Sequence, residues 1–135
     1  MRDNQGEVHW FIMLKTLILI ASQLHRQEQI SFLESIPELD LLQPADDLQS
    51  FWDALCSHHP DLVIFDESLF AEPGLLPLRR LKAEFPETAC LVFAQKYQQV
   101  EQAVAAGADR VLLRGFSATE FFSALTDIYR KRKTT

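Results

Sequence analysis

Short apolar runs alternate with amphipathic stretches along the chain, and this alternation limits its fold more than any other feature. The clearest run is PDLVIFD, Pro60 to Asp66, in which Leu62 to Phe65 are consecutively apolar. Such a run suits a strand buried on both faces, as in a parallel sheet. Similar runs occur at Lys15 to Ala21 (KTLILIA), Leu39 to Leu42 (LDLL), Ala89 to Phe93 (ACLVF) and Val111 to Leu113 (VLL). Asp66 is a carboxylate delivered by a buried strand, which is tolerable where the strand ends at a surface crevice. In open α/β sheets, ligands and chemistry sit in that crevice beyond the strand carboxyl ends.

The intervening stretches carry helical spacing. Ser22 to Ile36 places Ile30, Leu33 and Ile36 on one face, with Ser22 as the expected N-cap. From Asp46 onward, Leu48, Phe51, Trp52 and Leu55 fall at i, i+3, i+4 and i+7, and Gln49 follows Asp46 at capping-box spacing. Leu75 to Phe85 is a third helix, with Pro77 tolerated in its first turn. Gln98 to Ala106 is a fourth, expected to turn Val100 and Val104 inward, with Gly107 suited to a left-handed C-terminal position. Ser117 and Glu120 form a capping box before a last helix, whose expected apolar stripe is Phe121, Phe122, Leu125, Ile128 and Tyr129.

Five strand–helix units with connections long enough for right-handed crossovers predict a three-layer α/β fold, a doubly wound five-stranded parallel sheet. The 135 residues fit one domain, at 13–135. Residues 1–12 read as an N-terminal extension, expected to be disordered, with Met13 a second candidate initiator.

Composition excludes several classes of function. A net charge of -6 argues against nucleic acid as a partner, because phosphate neutralisation needs excess Lys and Arg. Trp10 to Ala21 is shorter than the ~20 apolar residues of a membrane span and lacks a clear basic start, so a cytoplasmic location without membrane association is expected. Cys56 and Cys90 have no metal-ligand spacing and read as reduced and structural. His9, His25, His58 and His59 form no ligand pattern, and Arg130 to Lys133 (RKRK) complements a helix C-terminus. Neither a nucleophile elbow nor a GxGxxG loop is present, so no enzyme activity or resident cofactor is expected.

PDLVIFD, GLLPLRRLKAEFPETACLVF (74–93) and AGADRVLLRGFSATEFFSAL (106–125) together resemble the receiver domains of bacterial response regulators, from about Leu14 to Tyr129. The resemblance implies a flavodoxin-like, CheY-like (βα)5 fold and a place in two-component phosphorelay signalling. Asp66 matches the phospho-acceptor position, Gly74 the glycine eight residues later, and Gly107-Ala108-Asp109 the GAD before the fifth strand. The family's acidic metal pair corresponds here to Ala21 and Ser22, neither charged. Its phosphate-contacting Ser or Thr is Ala94, its Lys is Arg114, the Pro after that is Gly115, and its switching aromatic is Val111. The Pro four residues after the acceptor is Phe70.

Phosphoryl transfer to a carboxylate needs a hard divalent cation held by oxygen ligands. The expectation is therefore a pseudo-receiver, a protein-interaction module that does not depend on phosphorylation or metal, with Asp66 paired to Arg114. The expected interaction face carries Tyr97, Glu101, Arg110 and Arg114. The sequence ends at Thr135 with no output domain after it, so the expected partner is a separate protein, either a histidine kinase or an output protein, or a second copy forming a homodimer. Two alternatives stand beside this: an active single-domain response regulator phosphorylated at Asp66 with Mg²⁺, and a small anionic ligand binder using Arg114.

Overall fold

The computed structural model describes residues 13–134, and the expected N-terminal extension lies outside them. The elements are β1 (Leu14–Leu19), α1 (Arg26–Glu34), β2 (Leu39–Leu41), α2 (Leu48–His58), β3 (Leu62–Phe65), α3 (Leu76–Glu84), β4 (Ala89–Ala94), α4 (Tyr97–Ala105), β5 (Arg110–Leu113) and α5 (Ala118–Thr134). Two short 3₁₀ turns, Glu67–Ala71 and Pro73–Leu75, fill the connection from β3 to α3. The strands form one parallel sheet in the order β2-β1-β3-β4-β5, with Ile18 beside Ile64 and Ile64 beside Leu91. This is the expected doubly wound, flavodoxin-like arrangement.

Alternation along each strand explains the continuous apolar runs. Ile18, Ile20, Leu62, Ile64, Leu91 and Leu112 face a layer containing Leu33 of α1 and Phe121, Leu125 and Ile128 of α5. Leu17, Leu19, Val63, Phe65, Cys90 and Val92 face the opposite layer, with Phe51 and Leu55 of α2, Leu78 and Leu81 of α3, and Ala103 of α4. Both faces of the sheet are covered, so the central strands β3 and β4 are apolar at every position, while polar residues enter near the amino end of β1 and on the edge strands β2 and β5.

Several helix details differ from expectation. Helix α1 begins at Arg26, because the Ser22 hydroxyl is occupied in a turn, accepting from Leu24 N at 3.2 Å. His25, at a left-handed φ of 61°, precedes the helix instead. Helix α2 is capped by Asp47, which accepts from Ser50 N at 2.8 Å, because Asp46 is engaged in an ion pair. In α4 the inward residue is Ala103, while Val104 is 59% exposed. The α5 stripe excludes Phe122, which is exposed, but its Ser117–Glu120 capping box forms in both directions, at 3.1 and 2.8 Å. Cys56 is exposed on α2, whereas Cys90 is buried and its thiol pKa is pushed up by that burial.

The GAD segment fastens the amino ends of β4 and β5. Gly107 has φ 109°, and a Cβ there would lie 3.2 Å from the Lys82 Cγ, so the glycine allows α3 to approach. Asp109 Oδ2 then accepts from Cys90 N at 2.8 Å and Lys82 Nζ at 2.9 Å. Removing the carboxylate strands the Cys90 N–H and takes one of two partners from Lys82 Nζ, which also donates to Thr88 O. Asp109→Ala should lower unfolding free energy by roughly 2–3 kcal/mol in urea titrations, while a change below ~0.5 kcal/mol would show that water replaces the carboxylate without loss.

Candidate functional site

The strand order reverses direction between β1 and β3, which opens a crevice at their carboxyl ends. Asp66 lies there, one residue beyond β3, and its backbone N–H donates to Leu19 O at 3.2 Å. The side chain is 1% exposed. It caps the following 3₁₀ turn: Oδ1 accepts from Ser68 N at 3.0 Å and from the Ser68 hydroxyl. Among the described residues, Oδ2 is buried without a hydrogen-bond partner.

Desolvation raises the Asp66 pKa above its ordinary value. The Ser68 hydroxyl and N–H pull it down, as do the Ser22 backbone N–H and the Arg26 guanidinium, but burial outweighs them. The last two groups make no regular hydrogen bond to Oδ2, so the charged form remains incompletely solvated.

Arg26 is the residue that sequence reasoning missed. It opens α1, yet its guanidinium turns back over the end of β1, donating from one Nη to Ile20 O at 2.8 Å. The other Nη pairs with Asp46 at 2.5 Å, joining α1 to the segment before α2. The side chain is 23% exposed. One signal in the sequence was its position: a cation in a helix's first turn opposes the macrodipole and calls for a compensating contact. Ala21 and Ser22, between the end of β1 and α1, add no charge.

The expected Asp66–Arg114 pair does not form. β5 is separated from β3 by β4, so the two strand ends are about two strand spacings, roughly 10 Å, apart. Asp66 turns to Ser68 instead, and Arg114 is exposed at the end of β5, where its backbone N–H donates to Ala94 O at 2.7 Å. Arg114 lines a cavity together with Glu28, Gln29 and Phe32 of α1. Glu67, next to Asp66, bonds to Gln95.

Ala94 is buried at the end of β4, and Val111 is half-buried against the α2–α3–α4 layer. On the outer face, Tyr97 is 71% exposed, Glu101 is exposed and Arg110 pairs with Asp127 of α5. Val104 and Leu113 are further apolar groups exposed on α4 and β5. Among the described residues, no three His, Cys, Asp or Glu side chains gather as a metal-binding group. No helix of the described residues is long and apolar enough to cross a membrane.

The response regulator receiver domain profile matches residues 21–126. The chain belongs to this family. Solved receiver structures share its fold at low identity. A LuxR-family two-component response regulator from Aurantimonas sp. SI85-9A1 superposes with TM-score 0.74 at 19% identity, covering 89% of this chain and 87% of that one. A response regulator receiver domain protein from Clostridium thermocellum gives 0.72 at 22%, with coverages of 90% and 98%. The signal receiver domain of the putative response regulator NarL from Mycobacterium tuberculosis gives 0.71 at 20%, with coverages of 89% and 98%. Comparison with curated protein sequences returns no match.

The buried Asp66 has a testable signature. Its folded pKa lies above the unfolded value near 3.8, so between the two values the folded state holds the extra proton. The stability this contributes is complete below the unfolded pKa and is lost as pH rises through the folded one. Asp66→Asn keeps an acceptor for Ser68 and cannot ionise. Relative to the parent, it should therefore gain melting temperature as pH rises above the unfolded value near 3.8; a pH-independent difference would contradict the burial argument.

Proposed function

We propose that this receiver domain works without phosphorylation, as a protein-interaction module in two-component signalling. The observation that carries the reading is the charge arrangement around Asp66. Where phosphoryl transfer needs acidic ligands for a divalent cation, this crevice presents Ala21, Ser22 and the Arg26 guanidinium. A fixed cation repels Mg²⁺, and one carboxylate already bonded to Ser68 is a poor ligand set for a hard ion that prefers octahedral oxygen coordination. The residues fit Mg²⁺ badly, and no step is assigned to it.

Two further features support this reading. Ala94 offers no hydroxyl to a phosphoryl oxygen, and Val111 has no ring to move between two positions. Arg114 can pair with an anion, but its planar fork is not equivalent to an ammonium. What remains is surface: Tyr97, Glu101, Val104 and Leu113 mix apolar and charged character on α4 and β5, as protein interfaces do. The proposed partner is a histidine kinase, a separate output protein or a second copy of the chain.

Incubation with Mg²⁺ and acetyl phosphate tests this directly. Intact-mass measurement should show an unchanged chain. A gain of one phosphoryl group that disappears in Asp66→Asn would overturn the proposal in favour of an active receiver.

A further inference from the structure

We propose that the cavity between α1 and the carboxyl ends of β4 and β5 binds a small organic cation, a primary ammonium carried on a compact apolar body. The cavity has a volume of about 320 Å³, at the lower end of the ~300–1,000 Å³ typical of small-molecule sites. Phe32, Phe93 and Phe116 form its apolar wall, with the Phe116 ring centroid 6.0 Å from that of Phe32 and 5.3 Å from that of Phe93. Ring faces carry negative potential, so a cation held over one within about 6 Å of its centroid is attracted. Two small residues leave the space open: Ala94 presents one methyl, and a Cβ built on Gly115 would meet nothing within 4 Å.

The polar lining is rich in acceptors. Glu67, half-buried just beyond β3, accepts from the neutral Gln95 amide and has no ion-pair partner among the described residues. A carboxylate offers about four acceptor positions, so an ammonium at Glu67 adds charge-assisted bonds without displacing Gln95. Glu28 is a second carboxylate in the lining, paired with His25 at 2.7 Å. Gln29 of α1 lines the same wall, and its Oε1 is buried without a hydrogen-bond partner among the described residues. That oxygen lacks a donor, and the terminal amide torsion is broad enough to turn it toward a ligand N–H. Arg114 is the opposing charge. It follows β5, about two strand spacings, roughly 10 Å, from the end of β3, and it is exposed, so water weakens its repulsion of a cation at Glu67. An arylalkyl ammonium is the simplest ligand that combines these features.

Binding of this kind is independent of whether Asp66 accepts a phosphoryl group. Benzylammonium, benzyl alcohol, benzoate and methylammonium separate charge from apolar body in ¹H–¹⁵N titrations of the full chain at neutral pH. Benzylammonium should produce saturable shifts at Gln29, Glu67, Ala94 and Phe116, with affinity at least ~10-fold above that of each of the other three. Glu67→Gln keeps an acceptor for Gln95, so it should leave the spectrum away from the cavity in place and remove the preference for benzylammonium over benzyl alcohol. Arg114→Gln removes the opposing charge and should hold or raise the benzylammonium affinity. The proposal is overturned by absent or non-saturating benzylammonium shifts, by shifts confined to other regions, or by any of the other three probes binding as tightly. A preference that survives Glu67→Gln, or an affinity that falls in Arg114→Gln, overturns it as well.

Discussion

A carboxylate withdrawn from water at the end of a central strand must be neutralised, solvated by protein groups or protonated. Asp66 is in this position because β3 lies between β1 and β4, with Leu62 to Phe65 buried before it. The protein answers partly with Ser68, whose N–H and hydroxyl serve one oxygen, and leaves the other without a partner. Nearby, Arg26 is tied to Ile20 O and Asp46 and supplies a positive field without a direct bond to Oδ2. Receiver chemistry would need an exchangeable cation there, whereas a side chain anchored at two points is permanent.

The same topology separates functions along the crevice. Asp66 and Arg26 share the β1–β3 side, while Arg114 and the aromatic cavity lie at the β4–β5 side beneath α1. The intervening strand ends in Ala94, whose side chain is too short to connect them. A buried carboxylate and a guanidinium that is unpaired among the described residues therefore coexist in one crevice without neutralising each other. The outer surface of α4 and β5 remains available for contact with another chain.

The sheet was legible because burial on both faces makes the central strands β3 and β4 apolar throughout and the others largely so, a pattern visible without tertiary information. The GAD segment was legible as a family match, but its work in joining Lys82 and Cys90 N depends on α3 lying against β4. Helix starts were harder to read. Ser22 and Asp46 both have N-cap chemistry, yet a local turn uses Ser22 and Arg26 takes Asp46, moving the starts to Arg26 and Leu48. Val104 has the spacing of a core residue, but α4 is rotated so that Ala103 packs inward. The Asp66–Arg114 expectation treated the crevice as a point, whereas strand order spreads it over several spacings. Arg26 was overlooked because its contacts link β1, α1 and the segment before α2, which no single stretch of sequence reveals.

We propose that Asp66 is a buried carboxyl beside a fixed cation, not a ligand for an exchangeable one. The most direct measurement is the Asp66 side-chain ¹³C carboxyl titration by NMR, with and without about 10 mM Mg²⁺. The predicted result is a midpoint above the ordinary Asp value that Mg²⁺ does not move. A midpoint that falls as Mg²⁺ is added would show that the carboxylate binds the metal and would contradict this account.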